Sequence, residues 1–197
     1  MQPYYQTHPI GVLYLLAVTG WYLMEIVQFF RQRQWQRDAI RISPRGYWPA
    51  FWIAMAVAAS MLFLAPRIAP AATIGHPALA FGLGISMVIA GVALRGWSFE
   101  TLGRYFTFTV TVRPDQPVIS AGPYRLLRHP GYAGGLLATT GIGVMWGNWV
   151  GLSVLTLLTL VFVVWRIHTE ESALLARFDD RYRAYASNHK RLVPLVW

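Results

Sequence analysis

Long apolar stretches separated by short arginine-rich segments are the feature that most limits what this chain can fold into. Residues 10–30, 47–64 and 77–99 are each about as long as the ~20 apolar residues that a helix needs to cross a bilayer. Residues 132–167 form a longer apolar run, and Gly147-Asn148-Trp149 interrupts it with turn-forming residues, so a helical hairpin is expected there. The pattern predicts an all-α, polytopic membrane protein with about five transmembrane helices.

The composition supports a single membrane-embedded domain. Of the 197 residues, 55% are hydrophobic and 13% are charged, whereas about 25% of the residues in an average soluble domain are charged. We therefore expect one domain over residues 1–197, with two N-terminal spans in 1–70 and a core in 77–197. The core would contain the hairpin 132–167 and a cytoplasmic tail, 168–197. No basic residue precedes the first apolar stretch, so we expect it to be retained and not removed as a signal peptide.

The basic residues indicate how the chain is oriented. The loops on the opposite side of the predicted bundle contain only one basic residue, Arg67. By the positive-inside rule, the N-terminus is expected outside and the C-terminus in the cytoplasm. The basic residues on the predicted cytoplasmic side are Arg31, Arg33, Arg37, Arg41, Arg45, Arg104, Arg113, Arg125, Arg128, Arg177, Arg181, Arg183, Lys190 and Arg191.

Several classes of site are not expected. The formal net charge is +9, but the arginines lie between apolar runs and form no basic face of a soluble fold, so we expect no nucleic-acid partner. The chain has no cysteine, and its five histidines lack the spacing of metal ligands, so we expect no metal site. No Gly-x-Gly-x-x-Gly motif follows a strand pattern, which gives no support to a Rossmann cofactor site.

Two features inside the apolar spans predict how the helices pack. Glu25 and Arg95 are ionisable residues near the predicted cytoplasmic ends of spans one and three, where they either pair with each other or line a polar cavity. We take a mutual ion pair as the hypothesis. The glycine pairs Gly131/Gly135, Gly143/Gly147 and Gly147/Gly151 have a four-residue spacing that lets helix backbones approach closely in lipid.

An amphipathic helix is predicted after the last span. Its apolar residues recur at helical spacing, with charged residues between them. Such a helix either lies on the membrane surface or packs as a lid over a cytoplasm-facing pocket. The apolar positions are Leu174, Leu175, Phe178, Tyr182 and Tyr185.

Three polar motifs lie on the predicted cytoplasmic side: Gly122-Pro123-Tyr124, Arg128-His129-Pro130-Gly131-Tyr132 and Arg166-Ile167-His168-Thr169-Glu170-Glu171. The second motif opens span four and the third closes span five, so the hairpin should bring them side by side. Their guanidinium, imidazole, phenol and carboxylate groups suit S-adenosylmethionine, which carries a carboxylate, an ammonium, ribose hydroxyls and a sulfonium. Composition alone does not single out that ligand.

Each of these residues also has a simpler explanation. Arg128 and Arg166 are reasonable interfacial anchors, and Glu170 is spaced as an i,i+4 partner of Arg166. His129 is reasonable as a neutral residue at the membrane surface. Their convergence at one end of the hairpin favours a binding site.

At these residues the sequence resembles the isoprenylcysteine carboxyl methyltransferase family and its phospholipid methyltransferase relatives. The resemblance runs from about Arg95 to Trp197. The motifs that carry it are Thr101-Leu102-Gly103-Arg104, Gly122-Pro123-Tyr124, the Arg-His-Pro-x-Tyr pattern of residues 128–132, Arg166-x-x-x-Glu170-Glu171, and the Phe178, Tyr182, Tyr185, Val193-Pro194 tail.

The resemblance implies a methyltransferase that holds S-adenosylmethionine in a cytoplasm-facing pocket and releases S-adenosylhomocysteine. It implies a lipophilic or membrane-associated acceptor that enters from the bilayer. Arg166 would bind the acceptor and, with Glu170, act in catalysis. The residues implied to contact the cofactor are Gln116, Pro117, Val118, Ile119, Tyr124, His129, Pro130, Gly131, Tyr132 and Glu170.

The sequence leaves the chemical group that accepts the methyl open. A carboxylate is already ionised at neutral pH and needs only alignment, for which Arg166 is suited. An amine or a thiol must lose a proton, and Glu170, Glu171 or His129 would then be the candidate base. A phospholipid amine methyltransferase is thus one alternative, and a non-catalytic lipid-binding membrane protein is another.

The excess of arginine over lysine suggests a GC-rich bacterial genome, and hence the bacterial inner membrane.

The chain departs from the family at two places. Gln116-Pro117 replaces the His-containing version expected in eukaryotic enzymes, and Phe178-Asp179 replaces a common Phe-Gly. The second departure bears on the local turn of the C-terminal helix.

Overall fold

The computed structural model describes residues 10–33, 40–41, 46–108, 111–112, 116–194 and 197. Its helices confirm the predicted all-α fold. Four of them, α1, α2, α3 and α5, are long and apolar enough to cross a membrane. Helix α4 has 17 residues, the lower limit of the roughly 17–25 that a span requires, so the count of five crossing helices stays a prediction. The helices are α1 (Ile10–Arg33), α2 (Tyr47–Ile68), α3 (Pro77–Leu102), α4 (Pro130–Trp146), α5 (Trp149–Phe178) and α6 (Asp180–Asn188).

The predicted hairpin joins α4 to α5. Gly147 ends α4 with a φ of +80°, a conformation that glycine adopts without steric cost. The Asn148 side-chain oxygen then caps α5 by accepting hydrogen bonds from the backbone N–H groups of Val150 at 3.0 Å and Gly151 at 3.2 Å. The Asn148 amide donates to the Ala69 carbonyl at 3.1 Å, so the turn is also tied to the end of α2.

Helices α3 and α4 make the closest contact in the bundle. A Cβ placed on Gly91 would lie 2.5 Å from the Gly134 carbonyl oxygen, and one placed on Gly84 would lie 2.7 Å from the Gly141 carbonyl oxygen. Only glycine at these positions allows the two backbones to pack so tightly. These four residues were not among the predicted pairs, because the pairing connects glycines of two different helices.

The predicted glycine pairs have other surroundings. Gly143 faces Leu152 of α5, Gly151 faces Leu62 of α2, and Gly147 forms the turn with open space beside it. Gly131 and Gly135 lie against α3, near Ser98 and Arg95. The four-residue spacing therefore predicted glycines that lie at helix contacts, with the exception of Gly147. It did not predict which helices contact each other.

Two features of the fold differ from the prediction made from the sequence. A short antiparallel strand pair, β1 (Ile40–Arg41) with β2 (Thr111–Val112), links the α1–α2 connection to the α3–α4 connection, with Ile40 opposite Val112. Two-residue strands are too short to produce a readable alternation.

Helix α5 continues past residue 167 to Phe178, so the first part of the predicted tail is an extension of the last apolar helix.

Candidate active site

A pocket opens at the end of the hairpin where α4 begins and α5 ends. Its walls come from the C-terminal part of α3, residues 105–107, residues 116–119, the start of α4, the last turns of α5, and α6. The space between these walls, counted together with the open solvent at the mouth, is about 910 Å³. The two motifs on either side of the hairpin therefore face one cavity, as the sequence predicts, and their contacting residues are 34 to 38 positions apart in sequence.

The Tyr132 hydroxyl is the centre of the polar contacts in this pocket. It donates a hydrogen bond to Glu170 Oε2 at 2.6 Å and accepts one from Arg166 Nε at 2.7 Å. The phenol therefore bridges a cation and a carboxylate that lie one helical turn apart on α5. Hydrogen bonds to ionised partners are short and strong, so the three side chains hold one another in a fixed arrangement.

Arg166 is buried and has two further kinds of partner. Its Nη2 donates to the Thr107 carbonyl at 3.3 Å. Its guanidinium carbon lies 5.6 Å from the ring centre of Tyr47 and 5.8 Å from that of Tyr132, within the range of cation–π attraction. Tyr47 belongs to α2, outside the region of family resemblance, and the sequence offered no signal that it reaches Arg166.

Glu171 points to a second cluster next to the pocket. Its Oε1 lies 2.7 Å from Arg128 Nη1 and 3.2 Å from His129 Nε2, and its Oε2 accepts a hydrogen bond from Arg191 Nε at 2.9 Å. The carboxylate is buried and contacts two arginines and one histidine, so it fixes residues of three segments to one another. This arrangement makes Glu171 a structural anchor, whereas Glu170 faces the cavity.

The C-terminal segment runs beside the start of α4 and strengthens this anchor. The backbone N–H of Arg128 donates to the Lys190 carbonyl at 2.8 Å, and that of His129 donates to the Arg191 carbonyl at 3.0 Å. The Tyr185 hydroxyl donates to the Tyr124 carbonyl at 2.7 Å. Backbone and side-chain hydrogen bonds thus hold α6 and the tail against the pocket.

The hypothesis of an ion pair between Glu25 and Arg95 is confirmed. Arg95 Nη2 donates to Glu25 Oε2 at 2.9 Å, and Arg95 Nε donates to the other carboxylate oxygen. Arg95 Nη1 also donates to the Gly131 carbonyl at 2.8 Å, and Arg95 lines the pocket. Helix α1 is therefore connected, through α3, to the first turn of α4.

The other predicted cofactor residues also gather at the pocket. Its lining includes residues 116–119, Tyr124, His129 and Gly131. Pro130 is fully buried as the first residue of α4, so it shapes the start of the helix and does not line the cavity. The His129 and Tyr132 rings stack with their centres 5.6 Å apart. The sequence predicted Arg95 as one half of an ion pair or the lining of a polar cavity, and Tyr182 only as part of the amphipathic helix. It gave no indication of Tyr47.

The tyrosines at the extramembrane side of the pocket stay protonated. Burial raises the pKa of Tyr124 well above its usual value, and the carboxylate of Glu170 raises it further. Burial raises the pKa of Tyr185 to about 12. Burial, reinforced by Glu171, also raises the pKa of Tyr182. These phenols are therefore neutral hydrogen-bond donors throughout the physiological pH range.

Over the described ranges, no group of three or more His, Asp or Glu side chains is placed to hold a metal ion.

The chain matches known proteins over this same region. Residues 79–181 match the model of the phospholipid methyltransferase family, so the chain belongs to that family. A probable protein-S-isoprenylcysteine O-methyltransferase from Oryza sativa subsp. indica is 34% identical over 116 residues, which are 58% of this chain and 61% of the rice protein. Protein-S-isoprenylcysteine O-methyltransferase B of Arabidopsis thaliana is 32% identical over 115 residues, which are 57% of this chain and 58% of the plant protein.

The fold is also similar to that of a solved membrane enzyme. The structure of the eukaryotic intramembrane Ras methyltransferase, an isoprenylcysteine carboxyl methyltransferase, aligns with a TM-score of 0.70 at 22% sequence identity. The alignment covers 98% of this chain and 70% of that chain, whereas this chain spans about 60% of the length of the two plant relatives. With its four membrane-length helices, the chain is an integral membrane protein.

Proposed function

We propose that this protein is a membrane methyltransferase that transfers a methyl group from S-adenosylmethionine to a lipophilic acceptor. The observation that carries the proposal is the Tyr132, Arg166 and Glu170 constellation, which lies in a pocket at the hairpin end within the region matched by the methyltransferase family. Bound there, S-adenosylmethionine supplies an electrophilic methyl carbon and leaves as S-adenosylhomocysteine.

The chemistry of the lining residues fits this methyl donor. Glu170 presents a carboxylate that suits an ammonium group or ribose hydroxyls, and Tyr124 and Tyr132 present aromatic rings that suit a sulfonium. The predicted cofactor segment 116–119 forms part of the same wall. Methyl transfer requires in-line alignment and exclusion of water more than it requires proton transfer, so a rigid and largely buried set of side chains is suitable.

Arg166 is proposed to orient the acceptor. Its guanidinium is fixed by Tyr132, Thr107 and Tyr47, so it presents its charge in one direction. A buried, rigidly held guanidinium favours an anionic acceptor group such as a carboxylate. The lipid-facing α2 and α5 next to it would let a lipophilic tail remain in the bilayer. The acceptor named for the plant relatives, a protein-S-isoprenylcysteine, has this combination of carboxylate and lipid.

A second candidate reaction is N-methylation of a phospholipid amine. The specific support for it is the family match, whose description is phospholipid methyltransferase. In this reaction a proton must leave the amine, and Glu170 is the proposed proton acceptor. Glu171 is already engaged by Arg128, His129 and Arg191.

One experiment tests both reactions. The purified protein in lipid nanodiscs is incubated with methyl-labelled S-adenosylmethionine and, separately, an S-prenylcysteine with a free carboxylate, phosphatidylethanolamine, or a bacterial membrane extract. Mass spectrometry then identifies the methylated product. We expect label in a carboxyl ester with the prenylcysteine, whereas label in the phosphatidylethanolamine headgroup would favour the second candidate.

Matched variants separate catalysis from folding. Glu170→Gln should reduce both binding of S-adenosylmethionine and methyl transfer, because it removes the charge that faces the cavity. Glu100→Gln is the control, since Glu100 is exposed near the end of α3 and outside the pocket. If the wild-type protein binds no S-adenosylmethionine and transfers no label, the methyltransferase proposal is wrong and a lipid-binding role becomes the better explanation.

A further inference from the structure

We infer that the hydroxyl of Tyr182, on α6, is a direct hydrogen-bond donor to the methyl donor bound in the pocket. This inference rests on the proposed function and adds a binding residue to its site. Tyr182 belongs to the short helix after the last span, and α6 therefore completes the pocket wall.

The Tyr182 hydroxyl is buried and unsatisfied. Tyr182 is 4% exposed and lines the cavity, yet its hydroxyl has no hydrogen-bond partner among the described residues. Leaving a buried hydroxyl without a partner is destabilising, because the group has lost its hydrogen bonds to water. A ligand that accepts this hydrogen bond would recover that cost on binding.

Tyr185, one turn further along α6, provides the contrast. Its hydroxyl donates to the Tyr124 carbonyl at 2.7 Å and reaches the Leu127 carbonyl at 3.3 Å. Tyr185 therefore anchors α6 to the segment that precedes α4. Because the anchor fixes the helix, the Tyr182 ring is held in place beside the cavity.

The surroundings of Tyr182 identify the methyl donor as its partner. Tyr182 packs in a cluster with Ala173 and Phe178, against which Val118 of the predicted cofactor segment also packs. Ala173 and Phe178 follow Arg166 on α5 by seven and twelve residues, so this cluster lies further along the helix than the proposed acceptor-binding residue.

The direction of the proposed Tyr182 hydrogen bond limits which ligand atoms can be its partner. Burial, with Glu171 and Glu170, holds the pKa of Tyr182 well above its usual value, so the phenol remains a donor. The partner must therefore offer an acceptor atom. A purine ring nitrogen, a ribose oxygen and a carboxylate oxygen each meet this requirement.

The test compares two Tyr→Phe substitutions in the full-length protein in nanodiscs. Binding of S-adenosylhomocysteine is measured by calorimetry, and the melting temperature is measured without ligand. Tyr182→Phe should weaken binding about three- to tenfold, the equivalent of one net hydrogen bond, and should leave the melting temperature of the unliganded protein unchanged or higher. Tyr185→Phe should lower that melting temperature, because it removes existing hydrogen bonds.

The outcomes distinguish this inference from the proposed function. If wild-type protein binds S-adenosylhomocysteine and Tyr182→Phe binds it within twofold, the assignment of Tyr182 is overturned while the methyltransferase proposal stands. A lower melting temperature of unliganded Tyr182→Phe with unchanged affinity would show that the hydroxyl has a structural partner, which also overturns the assignment. If the wild-type protein binds neither S-adenosylhomocysteine nor S-adenosylmethionine, both proposals fail.

Discussion

At the scale of single residues, Tyr132 is the position where one atom connects the two proposed roles of the site. Its hydroxyl touches Arg166, the proposed acceptor-binding residue, and Glu170, the proposed cofactor-binding residue. A change there should disturb both halves of the reaction without removing either charge.

The substitution Tyr132→Phe should lower kcat/KM for methyl transfer about 10- to 100-fold, because it removes two charge-assisted hydrogen bonds worth roughly 1.5–3 kcal/mol each in isolation. The measurement is the initial rate of label transfer from S-adenosylmethionine. Tyr22→Phe is the control, since Tyr22 is exposed on α1. Equal rates for Tyr132→Phe and wild type would contradict a role for the bridging hydroxyl.

Asp179 stands where family members commonly have glycine, after Phe178, and its own backbone is strained. Its φ of +38° is unusual for a residue with a side chain, and it separates α5 from α6. The sequence departure thus marked a position whose backbone conformation suits glycine.

Asp179→Gly should therefore raise the stability of the protein by about 1 kcal/mol, because relief of this backbone strain exceeds the loss of an exposed pair with Arg183, which is worth a few tenths of a kcal/mol. The check is the melting temperature in detergent. Asp180→Gly, one position later in the first turn of α6, should instead lower it, because glycine is unfavourable inside a helix. A lower melting temperature for Asp179→Gly would show that the carboxylate matters more than the strain.

At the scale of secondary-structure elements, the α3–α4 contact positions the site. Gly91 opposes Gly134, and Arg95, one turn after Gly91, reaches the Gly131 carbonyl at the start of α4. The spacing between these two helices thus determines where the first turn of α4 lies relative to the pocket.

Gly91→Ala should markedly lower the melting temperature and the yield of folded protein, because the added Cβ would lie 2.5 Å from the Gly134 carbonyl oxygen and 2.6 Å from the Ala138 nitrogen. Gly82→Ala on the same helix is the control. Its Cβ would meet nothing within 4 Å, so stability should be equal or slightly higher. Equal melting temperatures for the two variants would mean that the helices separate at little cost.

The sequence predicted elements better than it predicted contacts between them. The hairpin and its turn were predictable because Gly147 and Asn148 act locally, and Glu25 and Arg95 were predictable as a pair because both are ionisable residues at the same depth in apolar spans. The Gly91–Gly134 contact was not predictable. It depends on the relative rotation of two helices, which no local pattern encodes.

The site residues also divide into those that local sequence predicts and those that only tertiary packing brings together. The residues at either end of the hairpin were predictable because a short turn forces their adjacency. Tyr47 and Tyr182 were missed because one comes from α2 and the other from a helix that packs back after a break at Asp179. Those contacts arise from tertiary packing, and aromatic residues at helical spacing are consistent with many packing roles.

At the scale of the whole molecule, the fold gathers the site at one end of the helical bundle. The connection between α3 and α4, the end of α5, α6 and the tail all meet at the pocket. The turn at Gly147 and the end of α2 lie at the opposite end. We propose that the pocket faces the cytoplasm of a bacterium, with the N-terminus outside the inner membrane.

Cysteine labelling can test this orientation directly, because these 197 residues contain no cysteine. In intact cells, a membrane-impermeant thiol reagent should label Gly75→Cys, which lies in the α2–α3 connection, and should not label Ser187→Cys on α6. Both positions are exposed. After permeabilisation, both variants should be labelled, which controls for reactivity. Labelling of Ser187→Cys alone in intact cells would reverse the topology.

The contact between Tyr47 and Arg166 has a consequence for any attempt to reduce this protein to a minimal unit. The segment matched by the family begins at residue 79, so trimming to that boundary would remove both Tyr47 and Glu25, the partners of two arginines that line the pocket. Two guanidinium groups would then lose contacts that fix their direction. The smallest unit that preserves the pocket is therefore longer than the unit that sequence similarity defines, and grafts or chimaeras should exchange the first two helices together with the rest of the bundle.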